Sequence, residues 1–341
     1  MLTRSVAWVM LLALPIFANA SDAPDQGSAE LRTELKGYRH KIVHESNRSG
    51  NWDLWVMNAD GANDTNITNT PDVDELYPKA SPDGTMICFV CDEGKDDAKM
   101  RNLYYMNSDG TGRKKICDNA REPCWNSDGT KIAFLKGESD KFSYQDFASK
   151  GIFMYGLKSG ETKEHPNKKI QHLYTLNWSP DGKWFVATVH AGMGFKHSIL
   201  ALEAAGDGIF DLHLGGCRPD LNSDAKLIAW GNGDCAIGMA DLDLSGPTPK
   251  ATNIRNAIES KDPIETYHAD WSPDGKYIAF SYGPKAKKNL KGLLPEFPGV
   301  EAVGWNICVV DTSKKDRWTM LTTDGRSNKE PDWVFVKANE K

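Results

Sequence analysis

Three aspartates, Asp220, Asp270 and Asp332, occupy matching places in a repeated stretch of the chain and could hold a cation. Asp220 and Asp270 lie five residues ahead of the last residue of a recurring turn, and Asp332 joins them through the Trp that follows it, as Trp271 follows Asp270. Lys79, Cys124 and Asn177 fill the same place in the other copies. Hard cations take several oxygen ligands, so three converging carboxylates would suit a divalent cation in a central channel. The alternative is a hydrated polar channel in which each carboxylate accepts backbone amides and mutual repulsion raises the pKa values.

Seven residues ahead of the same turn end stand Tyr77, Glu122, Thr175, Arg218 and His268, joined by Glu330. Positions two apart on a strand share a face, so both sets are expected to line the channel. Tyr77, Glu122, Arg218, His268 and Glu330 would form its ligand-contacting mouth. Arg and His beside carboxylates suit an anionic or hydroxyl-rich partner, because Arg offers paired hydrogen bonds. Drift at solvated positions would produce the same variety.

Histidines give a further candidate: His172, His190 and His197 fall on loops or strand ends of one repeat, either as metal ligands or as solvated loop residues. The seven cysteines are odd in number, and Cys217 with Cys235, which flank one hairpin, are the pair best placed for a disulfide. Cys88 and Cys91 have the spacing of a zinc knuckle, yet on a strand they point to opposite faces. The chain carries no nucleophile elbow, phosphate loop or dinucleotide fingerprint.

The elements that must position these residues are short strands joined by one kind of turn. Asn177-Trp178-Ser179-Pro180-Asp181-Gly182 recurs as Lys79 to Gly84, Cys124 to Gly129 and Asp270 to Gly275, with a degenerate copy from Asp220 to Ala225, at intervals of 43–53 residues. In this string Pro pre-sets φ for a type I turn, Ser or Asn bonds back to the turn, and Gly accepts φ > 0. An apolar β-rich run follows each turn, as in Lys131 to Leu135 or Tyr277 to Phe280. A third strand is plainest at Asp53 to Met57 and Asn102 to Met106, each closed by Asn-x-Asp-Gly.

These strings resemble the repeat of TolB-type propellers, Trp-Ser-Pro-Asp-Gly, Lys-Ile-Ala-Phe and Leu-Tyr-Val-Met-Asn-Ala-Asp-Gly, over roughly residues 38 to 336. The resemblance implies an all-β propeller of four-stranded antiparallel blades. Such blades also occur in prolyl-oligopeptidase-like enzymes and in oligogalacturonate lyases, so the resemblance leaves the activity open. TolB carries an α/β domain ahead of its propeller, and too few residues precede the first strand here to hold one.

Six inner strands can be counted, the sixth being Glu330-Pro331-Asp332-Trp333-Val334, which matches Glu122-Pro123-Cys124-Trp125. The first strand, Lys41 to Glu45, lacks an inner neighbour of its own. A closed six-bladed propeller whose last blade mixes N- and C-terminal strands is therefore expected, with seven blades as the alternative. Insertions at 137–150, 192–196 and 283–303 all fall on one face, where binding is expected.

Arg4, the apolar run Val6 to Phe17 and Ala18-Asn19-Ala20 read as a secretory signal at 1–20, followed by a loosely packed leader at 21–37, the propeller at 38–336 and a tail at 337–341. A periplasmic or extracellular protein follows, with no transmembrane segment after cleavage and a monomeric state. A formal net charge of −6 argues against nucleic acid and anionic membrane as partners. The reading is a non-catalytic scaffold for an envelope or extracellular protein, a peptide or a glycan. The alternative is a metal-assisted polysaccharide lyase or related carbohydrate-active enzyme, with His190, His268 and Arg218 as neutralising or base residues.

Overall fold

The computed structural model describes residues 27–285 and 293–338, so the signal reading at 1–20 lies outside the described residues, as does part of the 283–303 insertion. The described strands form six four-stranded antiparallel sheets. Each inner strand touches those of the blades on either side, which closes the sheets into a ring round a channel. The expected fold is what the chain adopts, a six-bladed propeller. Inner strands for blades 2 to 6 are Asp74–Ala80, Ala120–Trp125, Leu173–Trp178, Cys217–Leu221 and Ile264–Trp271.

Blade 1 is built from both ends of the chain. Asn328–Val334 is its inner strand and pairs with Lys41–Ser46 in a register that sets Trp333 against Ile42 and Asp332 against Val43. Asp53–Asn58 and Thr65–Asn66 complete the sheet. The outermost strands of five blades run only two to four residues, which leaves little open edge for unwanted pairing. The exception is Lys250–Glu259 in blade 5.

Alternation along the second strands builds the core. Ile132 and Phe134 face blade 2 and pack with Cys88, Val90 and Leu103. Ala133 and Leu135, pointing the other way, pack with Leu173, Phe185 and Ala187 of blade 4. The same period-2 pattern, repeated in every blade, fills each gap between neighbours.

Turn chemistry follows the sequence. Gly84, Gly129, Gly182 and Gly275 sit at φ between 69° and 72°. Ala225, the degenerate copy, is held in the same left-handed region at φ 52°. Ser179 Oγ accepts the backbone N–H of Trp184 at 3.0 Å, and Asn126 Oδ1 accepts that of Lys131 at 2.8 Å, pinning each hairpin.

The leader departs from expectation. Helix Ala29–Leu35, capped by Ser28, buries Leu31 and Leu35 against Ile42, Met57, Ile307 and Leu321. Two leucines one helical turn apart give it an apolar stripe, and that stripe covers a seam next to blade 1 instead of lying loose. The disulfide reading is corrected too: all seven cysteines are unpaired, Cys217 and Cys235 included.

Candidate functional site

The inner strands share a feature that sequence could not show. Tyr77, Glu122, Thr175, Arg218, His268 and Glu330 all have φ between 51° and 58°. At each, the ladder shifts register, so that two residues oppose one on the neighbouring strand. Pro78, Pro123, Pro219 and Pro331 follow four of the six; proline has no N–H to lose where the ladder is interrupted. A non-glycine residue in this region costs about 1–3 kcal/mol, so six such bulges need strong surroundings.

Polar side chains supply them. The displaced N–H of Tyr77 donates to Glu45 Oε2 (3.1 Å), that of Arg218 to Thr188 Oγ1 (2.9 Å) and that of Glu330 to Ser281 Oγ (3.2 Å). Glu45, Thr188 and Ser281 occupy the same place on the second strand of the preceding blade. In blade 4 the bond comes from the ring itself, with Thr175 N donating to Glu122 Oε2 at 2.8 Å.

The two predicted rings do converge on the axis. In the ring nearer the turns, Lys79 Nζ lies 2.8 Å from Asp270 Oδ2 and 2.9 Å from Asp332 Oδ1. Each aspartate also grips the next blade through a backbone N–H: Trp271 donates to Asp220, Trp333 to Asp270 and Ala80 to Asp332, at 2.7–3.1 Å. An ammonium thus stands among the carboxylates expected to hold a metal. Among the described residues no group of three or more His, Cys, Asp or Glu is disposed to bind one. Burial and the neighbouring Asp270 push Asp220 up to about 8, and the same causes raise Asp332. The turn-face end of this channel opens into a cavity of about 370 Å³ walled by Trp125, Trp178, Trp271 and Trp333.

The upper ring comes together beneath a cover. Glu330 Oε1 lies 3.0 Å from His268 Nε2 and 3.8 Å from Arg218 Nη1, and Glu122 is near enough to Tyr77 to perturb it. All five predicted mouth residues are 2–6% exposed. The reason is the insertion ending at Val303, whose backbone is clamped down. Lys329 Nζ donates to the carbonyls of Pro295, Phe297 and Val300 at 2.6–2.9 Å, and Arg101 reaches that of Pro298. His268 donates through Nε2 to the Glu296 carbonyl (2.9 Å) and takes a hydrogen bond from Ser281 at Nδ1, so burial and Arg218 hold it neutral. Burial likewise raises Glu122 to about 7 and Glu330 to about 8.

Beside this cover the insertion-bearing face has an open cleft of about 400 Å³. Its floor is the Arg218–Asp146 ion pair (2.5 Å), and both partners are almost fully buried. Nε and Nη1 of Arg218 have no protein hydrogen-bond acceptor. The walls are Phe147 from the 137–150 insertion, Tyr174, His190 and His197 from blade 4, Tyr267 from blade 6, and Glu296 with Phe297 from the covering loop. Tyr267 donates to Asp234 (2.6 Å) and stacks on Trp305, with centroids 5.9 Å apart. Of the five predicted mouth residues, Arg218 alone reaches the cleft, where His190 and His197 of the predicted histidine group join it. Asp146, Glu296 and Tyr267 had no signal of their own beyond membership of an insertion or an aromatic strand.

His172, grouped with His190 and His197 in the sequence, is turned away to Glu138 (3.3 Å) and the Ala191 carbonyl (2.8 Å).

Comparison with known proteins gives the fold and no more. No family model matches the chain, and no curated protein matches it in sequence. Among solved structures, a chain of Kuenenia stuttgartiensis hydrazine synthase superposes with a TM-score of 0.60 at 12% identity, covering 95% of this chain. This chain spans about half of that one, 51%. A putative TolB from Agrobacterium tumefaciens superposes with a TM-score of 0.54 at 15% identity, over 86% of this chain and 91% of that one. A chain of the nidogen/laminin complex gives 0.58 at 8% identity, over 88% and 99%. The propeller is thus shared with proteins of unrelated kinds, and a shared fold does not carry a shared function.

Proposed function

We propose that the chain is a secreted or periplasmic, non-catalytic scaffold that binds an envelope or extracellular protein, a peptide or a glycan on its insertion-bearing face. The observation that carries this reading is the cleft of about 400 Å³ between blades 4, 5 and 6, walled by two insertions and by four aromatic rings over a buried arginine. Concave sites with apolar walls and a few convergent polar groups are the usual places for ligands. Aromatic walls give contact area at low entropic cost, and Arg218 with the carboxylates of Asp234 and Glu296 offers both donors and acceptors.

His268 and the three lower-ring aspartates, although suited to acid–base work, are committed elsewhere. His268 has both ring nitrogens bonded under the covering loop, and the aspartates of the lower ring hold Lys79 and backbone amides. This supports binding over a lyase reaction. Export rests on the sequence at Arg4 to Ala20, and among the described residues no helix is long and apolar enough to cross a membrane.

The test is a glycan array and an envelope-protein pull-down with the mature chain, its Phe147→Ala and Glu296→Ala variants, and a remote surface variant, Ile254→Ala. Binding should be lost with the first two and kept with the third. Binding that survives both cleft changes places the site elsewhere, and release of unsaturated product from a polyuronate would replace the reading with the lyase.

A further inference from the structure

We propose that His190 and His197 form a two-imidazole site for one late first-row divalent cation, of the zinc, nickel or copper(II) type, on the rim of the cleft. The two residues are direct cross-strand partners in the hairpin formed by Trp184–Gly192 and Phe195–Glu203. Their Nδ1 atoms face each other at 3.3 Å. An ion bound tetrahedrally with metal–nitrogen bonds of about 2.0–2.1 Å spans two ligand atoms about 3.3–3.4 Å apart. The pair is therefore already set at the bite such an ion needs.

The surroundings fix the rings in that pose. His197 also lies near the Gly216 backbone, which favours its protonated form. The Phe147 ring packs on His190 with centroids 4.4 Å apart and limits its rotation. Tyr174 lies beside His197 with centroids 6.4 Å apart. The nearby Arg218 charge is matched by Asp146, so the rim is not left with an unopposed cation.

Imidazole nitrogens favour zinc, nickel and copper over magnesium or calcium, which prefer oxygen. With two protein ligands the remaining coordination positions open toward the cleft, where water or a donor group of a bound partner would complete the shell. The site needs no partner to form, so it stands apart from the scaffold reading.

Tag-free protein, stripped with a chelator, would be titrated calorimetrically with zinc and with nickel in a non-coordinating buffer. One ion should bind per chain, and magnesium should not displace it. Removing one of two ligands forfeits the chelate's effective concentration, so His190→Ala and His197→Ala should each weaken binding roughly 100-fold. His172→Ala, on the same face but turned to Glu138, should leave it unchanged. A variant that does not fold is replaced by electron paramagnetic resonance of copper(II)-loaded wild type, which should show nitrogen coupling from two imidazoles. Wild-type affinity equal to that of the alanine variants, equal loss in His172→Ala, or a copper spectrum without two-nitrogen coupling would each overturn the proposal. None of these measurements involves a partner, so failure here leaves cleft binding standing, and the reverse holds too.

Discussion

Asp332 accepts the backbone N–H of Ala80 at 2.7 Å, and this bond ties the last strand of the chain to the inner strand of the second blade. The same strand carries Lys329, which pins the covering loop, and Glu330, which meets His268. One seven-residue segment thus closes blade 1, joins it to blade 2 and holds the cover of the channel.

Removal of Lys329 to Lys341 should therefore cost far more than a frayed end. The expected outcome is a broad, low-temperature melt by circular dichroism in place of a cooperative one. A truncated protein that melts like the parent would refute closure by this strand.

The turns allow a paired test. Gly182 sits at φ 71° with open space where a Cβ would go, so Gly182→Val is penalised by backbone strain alone. A loss of about 1–3 kcal/mol is expected in urea unfolding. Ala225→Gly, relieving the same conformation, should gain about 0.5–1 kcal/mol. Equal stability of all three proteins would contradict the turn geometry.

Lys79 tests the lower ring. Lys79→Met leaves Asp270 and Asp332 buried without their cation, which should cost about 3–5 kcal/mol. The loss should shrink on acidification, because Asp332 is already inclined to hold a proton and a neutral acid needs no ammonium.

Stability should itself fall as pH rises. Glu122, Asp220 and Glu330 have folded-state pKa values of about 7, 8 and 8, against about 3.9 to 4.3 for carboxyls in unfolded chains. Between those limits the folded protein binds more protons than the unfolded one, so the slope of stability against pH is negative. The melting temperature should decline from about pH 5 to about pH 8, and Asp220→Asn should flatten that decline. A rising profile over that interval would show that these carboxyls are charged in the fold.

Lys329→Met tests the cover. Three carbonyls would lose their donor, so amides of residues 293–303 should exchange faster with deuterium while the blades stay protected. Unchanged exchange in that loop would mean that its own packing, through Phe297 and Val300, suffices.

Much of the fold was legible because its signals are local and repeated. A Ser-Pro-Asp-Gly turn dictates a hairpin wherever it stands, and the match of Glu330 to Trp333 with Glu122 to Trp125 gave the closure. Counting back from each turn also found both rings. What it missed depends on contacts between distant segments. Nothing in Pro295 to Val300 announces that Lys329 will hold those carbonyls, so the loop read as a roof over a ligand-contacting mouth proved to bury that ring. Asp146 lies in an irregular insertion, and only its meeting with Arg218, 72 residues away, gives it a role. The left-handed bulges escaped for another reason. Tyr, Glu, Thr and Arg carry no preference for φ > 0, and only His is enriched there, so the conformation is imposed by the ring and not by the residue.

The arrangement of blade 1 also sets the order in which the molecule can be completed. Lys41–Ser46 pairs on one side with Asp53–Asn58 at once, but its other edge must wait for Asn328–Val334, almost the whole length of the propeller later. A chain delivered from its N-terminus would carry that unpaired edge until the final strand arrived. Closing so long a loop is entropically costly, and non-local pairing of this kind slows folding and prolongs exposure to aggregation. That first strand thus stays open to wrong pairing for as long as the other five blades take to form.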